Sequence, residues 1–205
     1  MASAISAAAC CSAPNEDMTT LAIKANDPRY PARLRRRLGA HAPSELTALG
    51  NLDLLSQPMT ALFCSARCPG KLILRTYDQA AQWRDAGHCV VSGFHSPVEK
   101  ECLRILLRGE PPIIICPARG LPKRIPPDWK KPLADGRLLI LSIFPNTENR
   151  ITADLAARRN ELVAALADDV FVAHATPGGR LERSLQRLEH KDARPRPPVK
   201  SSSSP

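Results

Sequence analysis

The chain has 205 residues, 43% of them hydrophobic, which is enough for one domain with a real core and crowded for two. Lys and Arg number 29 against 20 Asp and Glu, a net +9, so the partner to look for is anionic: nucleic acid, nucleotide or membrane surface. Aromatic residues make up only 4%, which leaves few rings to stack on single-stranded nucleic acid and shifts any such grip onto arginine.

Residues 1–18, opening MASAISAAACCSAP, lack the charged start and longer apolar core of a secretory signal and read as a disordered lead. The next segment, LAIKANDPRYPARLRRRLGAHAPSELTALGNLDLL, reads as a short strand, a Pro-limited turn and an Arg-rich stretch containing Arg29, Arg33, Arg35, Arg36 and Arg37. From there strands and helices alternate. MTALFCSA (59–66) is a strand, YDQAAQWRDAG (77–87) a helix stopped by Gly87, HCVVSG (88–93) a strand, and SPVEKECLRILLRG (96–109) a helix stopped by Gly109. PPIIICPA (111–118) and RLLILSIF (137–144) are strands, and ITADLAARRNELVAALA (151–167) is a helix. DVFVAHA (169–175) is the last strand and PGGRLERSLQRLEHK (177–191) the last helix. Residues 191–205, KDARPRPPVKSSSSP, read as a disordered basic and Ser-rich tail, leaving 19–190 as the folded domain.

Continuously apolar strands separated by helices require a sheet covered on both sides. The expected fold is α/β: a Rossmann-like, doubly wound, mostly parallel sheet with helices on both faces. Seven scattered Cys, several within apolar runs, suit a reduced, cytoplasmic protein. No apolar run is long enough to span a bilayer, so no membrane partner is expected. Ligands of such sheets sit beyond the carboxyl ends of the strands. That places the informative residues at 64–67, 92–97, 116–120, 142–146 and 174–180.

In SGFHSP, Gly93 permits a sharp turn, Ser96 caps the helix, Pro97 suits its first position, and Glu99 completes a capping box. The same helix start is an anion site by its free N–H groups, opposed by Glu99 and Glu101. A Cys/His reaction centre at His88, Cys89 and His95 is disfavoured, because Cys89 begins an apolar strand. Cys64 and Cys68 form a single C-x3-C pair with no second pair at a zinc-like spacing, so no metal is expected. In HATPGGR, Gly178 and Gly179 let backbone amides approach an anion and Arg180 adds charge; a plain turn and cap explains the same residues. The run ARGLPKRIPPDWKK, with Arg119, Lys123, Arg124, Lys130 and Lys131, can track phosphates, with Trp129 free to stack on a base; solubilising loop charge is the other reading. Asn160, a poor helix former, marks the Arg158-Arg159-Asn160 segment of an otherwise Ala/Leu-rich helix.

The order of these segments resembles the DNA-processing protein A (DprA, also called Smf) family, within a Rossmann-like group that also holds the lysine-decarboxylase-like LOG proteins. DPRYPARLRRRLGAHAPSELTALGNLDLL is similar to the family's lead-in, and TALFCSAR to its strand ending in Gly-Ser-Arg, with Ser65 and Arg67 in matching places. AGHCVVSGFHSPVEKECL resembles its Ser-Gly block at Gly87, Ser92 and Gly93. RRNELVAALADDVFVAHA resembles its Arg-Asn block at Arg159, Asn160, Ala164, Leu166, Asp168 and Val172. Pro97-Val98-Glu99 stands where the family has Gly-Ile-Asp, and Pro177-Gly178-Gly179 resembles the Pro-Gly-Gly loop of the LOG proteins without its Gly-Thr pair.

The resemblance implies a non-catalytic protein that binds single-stranded DNA and passes it to a RecA-type recombinase during DNA uptake, transformation and recombination. Ser65, Arg67, Ser92, Gly93, Arg159 and Asn160 would line the anion-binding face. Arg119, Lys123, Arg124, Gly178, Gly179 and Arg180 complete the expected phosphate contacts. No cofactor, metal or catalytic residue is expected, and a homodimer is compatible with the chain. Two alternatives stay open: a nucleotide-binding sensor or LOG-like nucleoside-monophosphate hydrolase using HATPGGR with Glu182 or Glu99, and a partner-binding protein acting through its basic tail.

Overall fold

The computed structural model describes residues 20–148 and 150–191; the expected lead (1–18) and nearly all of the expected tail lie outside them. Seven strands form one sheet in the order β1-β2-β6-β5-β4-β3-β7. They are β1 (Leu21–Lys24), β2 (Glu45–Gly50), β3 (Met59–Cys64), β4 (Cys89–Ser92), β5 (Ile113–Ile115), β6 (Leu138–Ser142) and β7 (Asp169–His174). β6, β5, β4, β3 and β7 are mutually parallel, whereas β2 pairs antiparallel with β6 and with β1. The helices are α1 (Ala32–Leu38), α2 (Gly70–Asp85), α3 (Pro97–Leu107), α4 (Pro127–Ala134), α5 (Ala153–Leu166) and α6 (Arg180–Lys191).

The alternation of side chains along each central strand builds two core layers. Met59, Ala61, Phe63, Cys89, Val91, Ile114, Leu139 and Leu141 pack with Leu34, Leu38, Leu162, Val163 and Leu166 of α1 and α5. Leu62, Cys64, Val90, Ile113, Ile115, Leu138 and Ile140 pack with Ala80, Trp83, Cys102, Leu103, Leu106 and Leu133 of α2, α3 and α4. Both layers consist of fully apolar strand runs, which is why these strands are legible as buried.

Three elements depart from the sequence reading. β2 lies inside a stretch read as an Arg-rich lead-in; it is a two-neighbour antiparallel strand that ends at Gly50, whose φ of 109° and closeness to Leu138 O leave no room for a side chain. α4 was hidden by its prolines, of which Pro127 starts the helix and Pro132 interrupts its hydrogen bonding. α2 begins at Gly70 rather than near Tyr77, directly after the β3 turn. Among the described residues no helix is long and apolar enough to cross a membrane.

Candidate nucleic-acid interface

The turns after the five parallel strands gather at one edge of the sheet, and the α3 turn is its centre. Ser92 is fully buried; its Oγ donates to Leu62 O at 2.8 Å and accepts from Phe94 N at 3.1 Å. Its hydroxyl therefore closes the turn and is enclosed by protein. Phe94 is held at φ 45°, and Gly93 packs so tightly that a Cβ would lie 1.2 Å from Arg159 Nη1. Only glycine lets the guanidinium reach this place.

Arg159, 5% exposed, donates through Nη1 to Cys116 O at 3.2 Å and through Nε to Asn160 Oδ1 at 2.9 Å. Burial lowers its affinity for the proton, and the nearby Glu99 carboxylate opposes that trend. Glu99 Oε1 accepts from Cys64 N at 2.9 Å, and Oε2 accepts from His95 N at 2.8 Å and Ser96 N at 3.0 Å. Ser96 Oγ accepts in return from Glu99 N at 3.2 Å. The predicted capping box is present, but its carboxylate also reaches across to β3. The amides just ahead of this helix start already hold the chain's own carboxylate, and the helix's Glu99 N–H is taken by Ser96 Oγ.

The same substitution recurs at the β7–α6 turn. Gly178, at φ 66°, donates its N–H to Glu182 Oε2 at 2.7 Å, and Gly179 N donates to Thr176 O at 2.8 Å. A Cβ on Gly179 would lie 2.6 Å from Thr176 O. Both amides of the expected cradle thus have acceptors inside the turn. Ser65 ties this turn to β3: its N–H donates to His174 O at 2.8 Å and its Oγ accepts from Thr176 N at 3.0 Å.

Around these closed turns lies the free charge. Arg67, Arg119, Lys123, Arg124 and Arg180 are exposed, and their side chains make no hydrogen bond or ion pair among the described residues. The loop carrying Arg119, Lys123 and Arg124 is nevertheless anchored. Ser142 Oγ donates to Arg119 O at 2.7 Å, Gly120 N to Glu148 O at 3.0 Å, and Leu121 N to Asn146 Oδ1 at 3.1 Å. Arg158 lies over the Phe144 ring at 5.4 Å, and exposed His95 and Lys100 extend the same edge. Lys100 was not singled out from sequence; its place one turn after Ser96 was the available signal.

Other expectations are redistributed. Trp129 is half-buried and packs against the α2–α3 core layer, so it is not a free stacking ring. Of the α1 arginines, Arg35 and Arg36 are exposed, whereas Arg33 and Arg37 turn inward: Arg33 Nη1 donates to Leu166 O at 2.7 Å and pairs with Asp168 at 3.0 Å, and Arg37 Nη1 donates to Ala164 O, Ala165 O and Ala167 O. Arg29 pairs with Asp27 at 2.7 Å and Arg35 lies over Tyr30. Asp168 also accepts from Met59 N at 3.0 Å, which gives this residue of the Arg-Asn block a structural job. Cys89 is buried and its thiol is pushed up to about 12 by that burial. Among the described residues no three His, Cys, Asp or Glu side chains are grouped to hold a metal ion.

Sheet order, two-sided helix cover and a cationic carboxyl edge define a Rossmann-like α/β domain. Within that class, the chain belongs to the family of DNA recombination-mediator protein A, whose model matches residues 21–182. Its fold is similar to DNA processing protein A from Streptococcus pneumoniae, with a TM-score of 0.68 at 22% identity over 86% of this chain and 61% of that one. It is also similar to DNA processing protein A from Helicobacter pylori, solved for its single-stranded DNA binding mode, with a TM-score of 0.66 at 21% identity over 85% and 78% of the two chains. The chain thus spans about 61% of the length of the Streptococcus protein. No curated protein matches it in sequence.

Proposed function

We propose that this chain binds single-stranded DNA along the carboxyl edge of its parallel strands, without catalysis, and passes the strand to a RecA-type recombinase during DNA uptake and recombination. Arg67, Arg119, Lys123, Arg124 and Arg180 make the phosphate contacts. Ser65, Ser92, Gly93, Arg159, Asn160, Gly178 and Gly179 shape the turns that present them. The observation that carries this reading is a contrast at one edge: exposed cations with no side-chain partner among the described residues surround two helix starts where Glu99 and Glu182 accept from backbone amides. A polyanion lying across the edge satisfies the cations, whereas a small nucleotide would need the amides that the two carboxylates occupy. Those carboxylates are also tied to backbone N–H groups, which disfavours them as the catalytic groups of a nucleotide hydrolase.

The test is an anisotropy titration of a labelled oligothymidylate with AMP as competitor. The proposal expects saturable binding that AMP at a hundredfold excess over the oligonucleotide leaves within about twofold. Displacement of the oligonucleotide by AMP, or release of ribose phosphate from it, would transfer the edge to a nucleotide.

A further inference from the structure

A cleft lies at the opposite edge of the sheet, where the parallel strands begin. One wall comes from the turn before α1 and from α1 itself, the other from the short 3-10 helix Leu52–Ser56 that joins β2 to β3. Leu52–Ser56 runs from Gly50, which pairs with Leu139 near the start of β6, towards Met59, which starts β3. On the α1 wall, Arg33 reaches Leu166 O and Asp168 just ahead of β7. The cleft measures about 460 Å³, the size of a small-molecule site.

The fold has already sorted the charges that line it. Arg29 is committed to Asp27, through Nε at 3.0 Å and Nη2 at 2.7 Å. Arg33 spends only Nη1, on Leu166 O and Asp168, and its Nε and Nη2 have no partner among the described residues. Arg36 is exposed, and its guanidinium has no hydrogen bond or ion pair among the described residues. On the facing wall stands exposed Asp53, whose backbone N–H donates to Asn51 Oδ1 at 2.9 Å while its carboxylate accepts from nothing described. Arg36 and Asp53 thus line one cleft with opposite charges and do not pair across it. Much of the remaining lining is apolar, with Pro28, Leu52 and the buried Tyr30 and Leu55.

A ligand carrying only negative charge would bring it up against Asp53, and one carrying only positive charge would bring it up against Arg36. A wholly apolar ligand would strip water from both groups and return no hydrogen bond. We propose that the cleft binds a small zwitterion with an apolar body, an α-amino acid or dipeptide with free ends, whose carboxylate meets Arg36 and whose ammonium meets Asp53. A guanidinium presents paired N–H donors that match the two oxygens of a carboxylate. The spare donors of Arg33, one helical turn before Arg36, add to the same side. An ammonium has three donors to share between the Asp53 carboxylate and the hydroxyl of Ser56 on the same wall. The apolar side chain packs on Pro28 and Leu52. This site is separate from the edge cations, so it stands whether or not that edge binds DNA.

The experiment is a saturation-transfer NMR titration of the full chain with leucine, phenylalanine and leucyl-leucine. At least one probe is expected to bind saturably at about 10 mM or below. Its N-acetylated and C-amidated forms, each lacking one charge, should bind about tenfold more weakly or worse. Arg36→Gln and Asp53→Asn should each weaken the free probe by about tenfold as well. Neither side chain is bonded within the described fold, so both variants should unfold at the parent's temperature, and a loss of binding is then not a loss of structure. Absence of saturable binding by all three probes would overturn the proposal. So would an N-acetylated or an amidated probe that binds as well as the free one, since the cleft would then read a single charge. Binding that both variants leave unchanged would put the ligand elsewhere on the chain and overturn it too.

Discussion

Arg33 and Arg37 on α1 reach inward to the carboxyl end of α5, whereas Arg119, Lys123 and Arg124 after β5 are exposed and bonded through their side chains to nothing else described. As bare sequence, RYPARLRRR is the denser basic run and the better phosphate tracker. Its fate is decided by what lies next to it. The last carbonyls of a helix have no partner within the helix and carry the negative end of its dipole, so arginines packed beside them are drawn in as caps. The β5 loop sits instead at the strand edge, where its own carbonyl at Arg119 and the amides at Gly120 and Leu121 are already paired and its cations meet no acceptor among the described residues. Basic composition reports total charge; only packing says which part of it is available to a ligand.

That contrast can be broken most severely at the carboxylate that fills the edge from within. Glu99→Ala strips the acceptor from the amides of Cys64, His95 and Ser96 and removes the anion near buried Arg159. A loss of about 3 kcal/mol or more in urea unfolding is expected; a variant as stable as the parent would mean that Glu99 is not what closes the α3 turn. Next comes the Arg33→Ala, Arg37→Ala pair, expected to cost about 2 kcal/mol of stability through the lost bonds to α5 while leaving oligonucleotide affinity within about twofold. The mirror-image change is Arg119→Ala, Lys123→Ala, Arg124→Ala, for which affinity should fall about tenfold or more with stability held within about 0.5 kcal/mol.

The smallest effect concerns His95. Burial, then the positive charges of Arg159 and Lys100, hold its imidazole below the ordinary value. Because the folded chain favours the neutral ring, this residue's contribution to stability is complete above the ordinary histidine range and is lost as pH falls through the lowered folded value. Bound phosphate favours the imidazolium, so oligonucleotide affinity should rise about twofold between about pH 7.5 and about pH 5.5, and His95→Ala should flatten that rise. An unchanged pH profile in the variant would remove His95 from the interface.

Much of the scaffold was legible because its cues are local. Cys89–Ser92, Ile113–Ile115 and Leu138–Ser142 are uninterrupted buried strands, and Ser96, Pro97 and Glu99 announce a helix start that is present with its capping box. β2 was not legible, since a short antiparallel strand beside the sheet's margin carries no long apolar run, and α4 was masked by Pro127 and Pro132. At the edge, sequence located the turns but not their occupancy. That Glu99 reaches the Cys64 amide, 35 positions away in the chain, is a consequence of β3 lying beside β4. Arg159 was visible through its odd neighbour Asn160, yet its burial against Gly93 follows from α5 crossing the β4 and β5 turns, which no local pattern encodes.

The most direct measurement is the dependence of oligothymidylate affinity on salt, taken in parallel for the parent, the α1 arginine pair and the β5-loop triple. Each phosphate neutralised by a cation adds to the slope of log affinity against log salt. If the strand edge is the interface, the triple lowers that slope by about 2 while the α1 pair leaves it where the parent has it. A slope lowered by the α1 pair and untouched by the triple would place DNA on the other side of the molecule and contradict the account.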